Sequence, residues 1–263
     1  MSIPILQAKE ISVVFGGLRA VSDFNLTLME GELVGLIGPN GAGKTTVFNL
    51  LTGVTPLSSG EIAIRSSKDG KAHSTKGMKA HQIARLGLGR TFQNIRLFKS
   101  LTVLDNLRIS MDHLRRTTIA DAILRTRRFT AEEEAFTSRS VELLKIFELD
   151  DKKDLLARNL PYGEQRKLEI ARALATDPKL LLLDEPAAGM NPQETKDLMR
   201  LIAFVRERFQ LTILLIEHDM SLVMNLCERI AVLDYGQEIA MGTPAEISRN
   251  PAVIKAYLGE EEI

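Results

Sequence analysis

From residue 4 to residue 37 the chain alternates apolar and polar positions at the two-residue period of strands. ILQAKEISVVF, DFNLTLM and ELVGLIG carry the alternation, and Gly16-Gly17 and Glu30-Gly31 separate them as turns. They predict three strands running into a glycine-rich turn at GPNGAGKTT. VFNLLTG then takes helical spacing with Gly53 as its stop, and EIAIR at 61–65 returns as a short strand. SSKDGKAHSTKG at 66–77 has no apolar run and predicts a solvent loop. From about residue 78 to 158 the pattern is helical, in MKAHQIARLG, LTVLDNLRISMDHL and AFTSRSVELLKIFEL, and predicts a separate helical subdomain.

Beyond that block helices and strands alternate. A helix at 163–176, the strand KLLLLD, a helix opening at Asn191-Pro192, the strand LTILLI and a helix from Asp219 follow in order. The unbroken apolar runs LLLL and TILLI predict strands buried on both faces, as in a parallel sheet covered by helices. The tail from 229, RIAVLDYGQEIAMGTPAEI, predicts a hairpin and one or two terminal helices. No internal repeat or low-complexity tract interrupts this order.

Composition narrows the class. With 263 residues, 44% hydrophobic and 26% charged, the chain suits a soluble globular protein with one large or two small domains. Lys plus Arg and Asp plus Glu both total 34, so no global field draws it to nucleic acid or anionic lipid. The apolar runs at 33–38 and 211–216 fall far short of the roughly 20 residues that span a bilayer. MSIPILQAKEI lacks a basic segment followed by a long apolar stretch, and Cys227 has no second cysteine to pair with; both predict a reducing, cytosolic setting. Cys227 falls in the helical pattern LVMNLCERI and is expected to be a buried core thiol.

The candidate chemistry starts at Gly38, Pro39, Asn40, Gly41, Ala42, Gly43, Lys44 and Thr45, which fit G-x-x-x-x-G-K-[ST] after an apolar strand and before a helix. The glycines let backbone N–H groups wrap phosphates, Lys44 reaches the β and γ groups, and the Thr45 hydroxyl coordinates Mg²⁺; Thr46 follows in the same turn. KLLLLDEP ends a buried strand in Asp184, a carboxylate placed to hold Mg²⁺ through water. Glu185 beside it can orient and deprotonate an attacking water. Phosphate loops also serve GTPases, small-molecule kinases and recombinases, so the loop does not choose a function. The absence of N-K-x-D removes the usual guanine reader.

What discriminates is an ordered set: Gln93 in GRTFQN, LPYGEQ at 160–165, Asp184-Glu185, AAGMN at 187–191, and His218 in LLIEHD. In this order, with a helical block between Gln93 and Leu160, the chain resembles the ATP-binding cassette (ABC) family of transporter ATPases, nearly end to end. The resemblance implies an α/β P-loop NTPase fold with a RecA-like parallel-sheet core at 1–93 and 160–235, which includes an N-terminal antiparallel β subdomain. It implies a helical subdomain at 94–159 with an insertion near 108–140, and a hairpin end with helices at 236–263. Phe15 then matches the aromatic that stacks on adenine, Gln93 a contact to Mg²⁺ and the nucleophilic water, and His218 the histidine that hydrogen-bonds the γ-phosphate. An aromatic or a histidine at a strand end is by itself more often structural; the ordered company reverses that.

Within the family the likeness is to importer ATPases for branched-chain amino acids, carried by LPYGEQRKLEIARAL, LLLLDEPAAGMNPQET, LLIEHDM and NPAVIKAYLG, with the stretch at 108–140 favouring the longer of two sister types. ATPases for urea or short amides, the lipopolysaccharide-export ATPase and soluble cassettes outside transport remain in play. The short tail after His218 leaves no room for an added regulatory domain, and a second phosphate loop is missing. The implied cofactors are ATP and Mg²⁺. The implied partners are a second ABC ATPase subunit, a paralogue or itself, two transmembrane permease subunits, and indirectly a substrate-binding protein. No nucleic acid is expected, and the implied location is the cytoplasmic face of the membrane. Two cassettes would pack head to tail, so that the phosphate loop of one and Leu160, Pro161, Tyr162, Gly163, Glu164 and Gln165 of the other enclose each ATP.

Against the commoner L-S-G-G-Q, Pro161 replaces the serine and Tyr162 the first glycine, so phosphate contact there must come from backbone N–H groups. Proline is expected in the first turn of the helix, where its missing N–H has no partner. In the insertion, Arg115, Arg116, Arg125, Arg127 and Arg128 precede Glu132, Glu133 and Glu134. Internal charge compensation on a solvated helix pair is the favoured reading, and a patch facing lipid headgroups or a membrane partner the sharper one.

Overall fold

The computed structural model of the protein describes residues 4–258; residues 1–3 and 259–263, where the expected terminal helices end, lie outside the described residues. Strands β1 (Pro4–Phe15) and β2 (Leu18–Met29) form a long antiparallel hairpin across Gly16-Gly17. The period-2 pattern sends Ile11 and Val13 of β1 and Phe24, Leu26 and Leu28 of β2 to the buried face, and a register shift between the Ile11–Phe24 and Val13–Val21 pairs buries Val21 with them. Strand β3 (Leu33–Ile37) is buried throughout and runs through the glycine-rich turn into helix α1 (Lys44–Leu51). Strands β4 (Ser59–Arg65) and β5 (Ala72–Ser74) complete an antiparallel sheet in the order β2-β1-β4-β5.

The expected solvent loop at 66–77 therefore contains a strand. β5 is three polar or small residues held at the sheet edge by pairing, Ala63 opposite Ser74 and Arg65 opposite Ala72, with no buried side chain to leave a hydrophobic trace. A second correction follows α2 (Ala80–Ala84). Residues 88–90, inside the stretch expected to be helical, form β6 (Leu88–Arg90), the edge of the second sheet. Three residues centred on a glycine carry no readable period.

The helical segment comprises α3 (Val103–Ser110), α4 (Ile119–Ile123) and α5 (Arg127–Ile146). Then come α6 (Tyr162–Ala175), β7 (Leu180–Asp184), α7 (Pro192–Phe209), β8 (Thr212–Ile216), α8 (Met220–Leu226), β9 (Arg229–Asp234), β10 (Gln237–Gly242), α9 (Pro244–Ile247) and α10 (Pro251–Leu258). The second sheet has the order β10-β9-β3-β8-β7-β6, parallel except for β10. Asn191 caps α7 through Gln193 and Glu194 amides, and Asp219 caps α8 through Ser221 and Leu222 amides.

The apolar runs of β7 and β8 divide between two cores. Leu180, Leu182, Leu214 and Ile216 join Val34, Leu36, Phe48 and the inner face of the antiparallel sheet. Leu181, Leu183, Ile213 and Leu215 join Leu33, Ile37 and the buried residues of α3, α5, α6, α7 and α8. Cys227 is part of the second core, and burial pushes its thiol up to about 12. In the insertion, Arg115 pairs with Asp112, Glu132 and Glu133, and Arg108 with Asp105 and Glu133, so internal compensation accounts for Arg115. Arg116, Arg125, Arg127 and Arg128 stay exposed, as do Ile119, Ile123 and Leu124.

Leu181 is fully buried between sheet and helices, whereas Ile119 is 81% exposed. Leu181→Ala should cost about 2–5 kcal/mol and Ile119→Ala less than about 0.5 kcal/mol, measured as shifts in the urea unfolding midpoint at constant slope.

Candidate nucleotide-binding site

Parallel register levels the carboxyl ends of three strands. Ile216 of β8 lies opposite Leu36 of β3 on one side and opposite Asp184 of β7 on the other. The chain leaves these strands at Gly38, Glu217 and Glu185, so all three exits lie on one edge of the sheet, where open parallel sheets bind ligands.

At the first exit the turn cannot tolerate a side chain at two positions. Gly38 has φ 151°, and a Cβ there would lie 2.0 Å from the Leu233 carbonyl oxygen; Gly43 has φ 102°, and its Cβ would lie 2.9 Å from the Ala20 oxygen. Gly43 is the N-cap of α1 and supplies no side-chain cap, so the first amides of the helix are left for an anion. Lys44 Nζ donates to the carbonyl oxygens of Gly38 (2.6 Å) and Pro39 (2.9 Å). Burial pulls the Lys44 pKa below its ordinary value, opposed by the negative charges of Glu185 and Asp184. Thr45 is exposed at the helix mouth, with Thr46 half-buried beside it, and Asn40 and Gly41 form the exposed crown of the loop over buried Ala42.

Asp184 is buried, and its Oδ2 accepts from Arg90 at 3.2 Å. Desolvation raises its pKa, with Arg90 opposing the rise. Its other oxygen, Oδ1, is buried with no hydrogen-bond donor. An orphaned carboxylate oxygen on the same sheet edge as the exposed Thr45 hydroxyl suits a hard cation such as Mg²⁺, which takes oxygen ligands and retains water.

Glu185 sits at φ 46°, a left-handed conformation that costs a non-glycine residue about 1–3 kcal/mol and concentrates at functional sites. Its amide donates to Ile216 O at 2.9 Å. Gln93 Nε2 donates to its Oε2 at 2.9 Å, and His218 Nδ1 lies 3.9 Å from the same oxygen. Gln93, Glu185 and His218 thus converge beside Lys44 and Asp184, a carboxylate and two polar side chains around a phosphate-binding loop. Such a set can orient and deprotonate a water next to a bound phosphate.

Phe15 is half exposed at the end of the β1–β2 hairpin, and Ala20 of that hairpin abuts Gly43 and Gly236. Among the described residues, no hydrogen bond or ion pair joins the turn at 160–165 to residues 38–46. Pro161 is the N-cap of α6 (φ −54°, ψ 156°) and not a first-turn residue as expected, so its missing N–H falls just outside the helix. Leu160 is buried and its carbonyl accepts from Gln165 Nε2 (2.7 Å), while Glu164 pairs with Lys152 (2.6 Å). Tyr162 is half exposed and packs against Gly189, whose Cβ would approach the ring to 3.3 Å; a Cβ on Gly163 would meet Glu194 Oε1 at 3.3 Å.

The ABC transporter family model matches residues 21–188. The chain belongs to the ABC transporter ATPases. A second model, for branched-chain amino acid ATP-binding cassette transporters, matches residues 237–263. The chain is 47% identical over 260 residues to the high-affinity branched-chain amino acid transport ATP-binding protein LivG of Salmonella typhimurium, covering 99% of this chain and 100% of that one. BraF of Pseudomonas aeruginosa, described in the same terms, is 46% identical over 99% of this chain and 100% of its own. The lipopolysaccharide export protein LptB of Escherichia coli is 37% identical over 97% of this chain and 98% of its own. Among solved structures, the ADP conformation of the ATP-binding cassette MJ1267 superposes with a TM-score of 0.82 at 28% identity, over 98% of this chain and 100% of that one. A dimeric post-hydrolysis cassette, MJ0796 bound to ADP and Pi, gives 0.75 at 25% identity over 91% and 98%. The cassette is an ATP-hydrolysing enzyme.

Four residues of the cassette's site escaped the sequence reading. Arg90 pairs with Asp184 and stacks on Phe92 at 4.9 Å from the ring centroid. Arg166 and Glu169 form an ion pair, 0% and 2% exposed, against the segment that carries Gln93. An opposite-charge i,i+3 pair is as typical of a solvated helix face, so nothing local announced their burial. Glu217 is buried one residue before His218, and its Oε1 accepts from the Ala187 amide at 2.9 Å.

Desolvation pushes the Glu217 carboxyl above its ordinary 4.5, with the Ala187 amide and His218 opposing. A raised folded-state pKa means that the proton stabilises the fold, and that this stabilisation is lost as pH rises through the folded pKa. Glu217→Gln keeps the acceptor and removes the buried charge. It should melt about 2–4 °C above the parent at pH 8, with the gap narrowing as pH falls toward 5 in calorimetry across that range.

Proposed function

We propose that this cassette energises import of branched-chain or closely related amino acids, as one ATPase subunit of a membrane transporter. The observation that carries the solute class is the match of residues 237–263 to the branched-chain model, joined to near-complete coverage of LivG. Lower identity to the lipopolysaccharide exporter weighs against that alternative. In this reading a second cassette, paralogous or identical, packs head to tail with this one. Two permease subunits hold the pair at the cytoplasmic face, and a substrate-binding protein delivers solute from the other side. Among the described residues no helix is long and apolar enough to cross a membrane, which fits a subunit attached through partners.

Residues 38–46 wrap the phosphates of ATP, with Lys44 exchanging the Gly38 and Pro39 carbonyls for β- and γ-phosphate oxygens and Phe15 stacking on adenine. Thr45, Gln93 and Asp184 would hold Mg²⁺, which when bound draws electron density from the β- and γ-phosphate oxygens. Glu185 takes a proton from the attacking water, Gln93 orients that water and the carboxylate, and His218 hydrogen-bonds the γ-phosphate. The lack of a hydrogen bond or ion pair, among the described residues, between turn 160–165 and the cassette's own loop supports the head-to-tail arrangement, in which the backbone amides at the start of α6 face the partner's ATP. ATP becomes part of the interface, so binding closes the pair and hydrolysis opens it.

Glu185→Gln should lower turnover by about 10²–10⁴-fold and leave a dimer that persists in ATP and Mg²⁺ on size exclusion; normal turnover in this variant would sink the assignment of the base. Gly163→Asp sets a carboxylate against Glu194 and toward the partner's phosphates, and should abolish turnover while the monomer still binds ATP by fluorescence titration. Deleting the gene should remove uptake of labelled leucine, isoleucine and valine. Intact uptake with defective lipopolysaccharide assembly would instead assign the exporter function.

A further inference from the structure

The geometry points to the buried Arg166–Glu169 pair as a positioning device. It locks the half-site that the cassette offers its partner to the Gln93 segment of its own ATP site, and so makes the two ATP sites of a dimer turn over cooperatively. This rests on the head-to-tail reading above and adds to it a route between sites.

The segment 92–96 is neither helix nor strand. Arg166 spreads its guanidinium over it: Nη1 donates to Phe92 O at 2.7 Å and Nη2 to Gln93 O at 2.8 Å. Glu169 accepts the Arg96 amide at 3.1 Å and closes the clamp by taking Arg166 Nη1 at 2.8 Å. Among the described residues, the backbone hydrogen bonds of 92–96 all run to this pair. Arg166 Nη2 also reaches the Tyr162 hydroxyl at 3.4 Å, and Tyr162 packs on Gly189 in the turn that follows Asp184-Glu185.

Both residues sit in the first turns of α6, directly after the turn presented to the partner's nucleotide. That helix is a rigid body, with Leu168, Ile170, Ala171, Leu174 and Ala175 in the core. A tilt of α6 driven by the partner's ATP must therefore move the Gln93 carbonyl, and with it the amide bonded to Glu185. A displacement of about 1 Å at such a group can change a rate by about a hundredfold.

Stability does not explain the pair. A buried ion pair is weak evidence for stability, because the cost of taking both charges out of water offsets much of their attraction and apolar replacements of similar volume are commonly neutral for folding. What the ions provide and an apolar pair would not is directional bonding to two carbonyls and one amide.

The double variant Arg166→Met/Glu169→Leu separates these roles. Steady-state ATPase against ATP concentration should be measured on the full chain, assembled with the membrane subunits that co-purify with it. The parent should give a Hill coefficient approaching the two sites of the dimer. The double variant should fall to about 1 with kcat lower by at least about tenfold, KM within about twofold and melting temperature within about 3 °C of the parent. Arg166→Lys, which retains charge but not the fork, should fall between them at unchanged melting temperature. Parent-like cooperativity and kcat in a folded double variant would overturn the inference. If the double variant does not fold, parent-like cooperativity in Arg166→Lys overturns it instead. A parent that neither dimerises in ATP nor shows cooperativity would remove the head-to-tail reading, and this inference with it.

Discussion

The site depends on one pairing register. Ile216 is paired in register with Leu36 on one side and Asp184 on the other, and this brings together three chain segments that are remote in sequence. A one-residue slip would exchange the two faces of every side chain on a strand, sending Leu182 and Leu214 into the helix-side core and Leu181 and Leu215 to the other. Two apolar cores on opposite faces therefore hold the register, and the register sets the level at which loop 38–46, Glu185 and His218 leave the sheet.

That arrangement makes the edge of the sheet an expensive place. Lys44, Asp184 and Glu217 are charged groups held out of water, and Glu185 occupies a backbone conformation unfavourable to a side chain. Each is tolerated because its surroundings over-determine it: Lys44 between two carbonyls, Asp184 against Arg90, Glu217 under the Ala187 amide. A folded chain selected for stability alone would place apolar groups there. The low dielectric at this edge strengthens every interaction with a phosphate, which is the return on that cost.

In the proposed head-to-tail pair, helix α6 extends the same logic beyond one chain. Among the described residues its N-terminal turn has no hydrogen bond or ion pair to the cassette's own loop, and its second turn grips the segment that supplies Gln93. Pro161 as N-cap and Tyr162 against Gly189 show how a turn lacking the family's serine still has a defined entry. The hydroxyl is gone, and the first helical amides and the packing of the turn remain.

Much of the fold was legible because long strands and helices leave a period. The hairpin of residues 4–29, the buried LLLL and TILLI runs and the caps at Asn191 and Asp219 announced themselves. So did the phosphate loop, since Gly38 and Gly43 stand where a Cβ would strike the Leu233 and Ala20 carbonyls. Strands β5 and β6 did not, being three-residue edges made by pairing and not by burial. Nor did Arg90, Arg166, Glu169 and Glu217, because nothing local distinguishes a buried charge from a solvated one. By itself the sequence determined the elements and the types of chemical group available, through short-range sterics and periodic burial. Only the tertiary structure decided which groups meet, because the register between Leu36, Ile216 and Asp184 and the desolvation it imposes are properties of segments about 150 residues or more apart in the chain at their extremes.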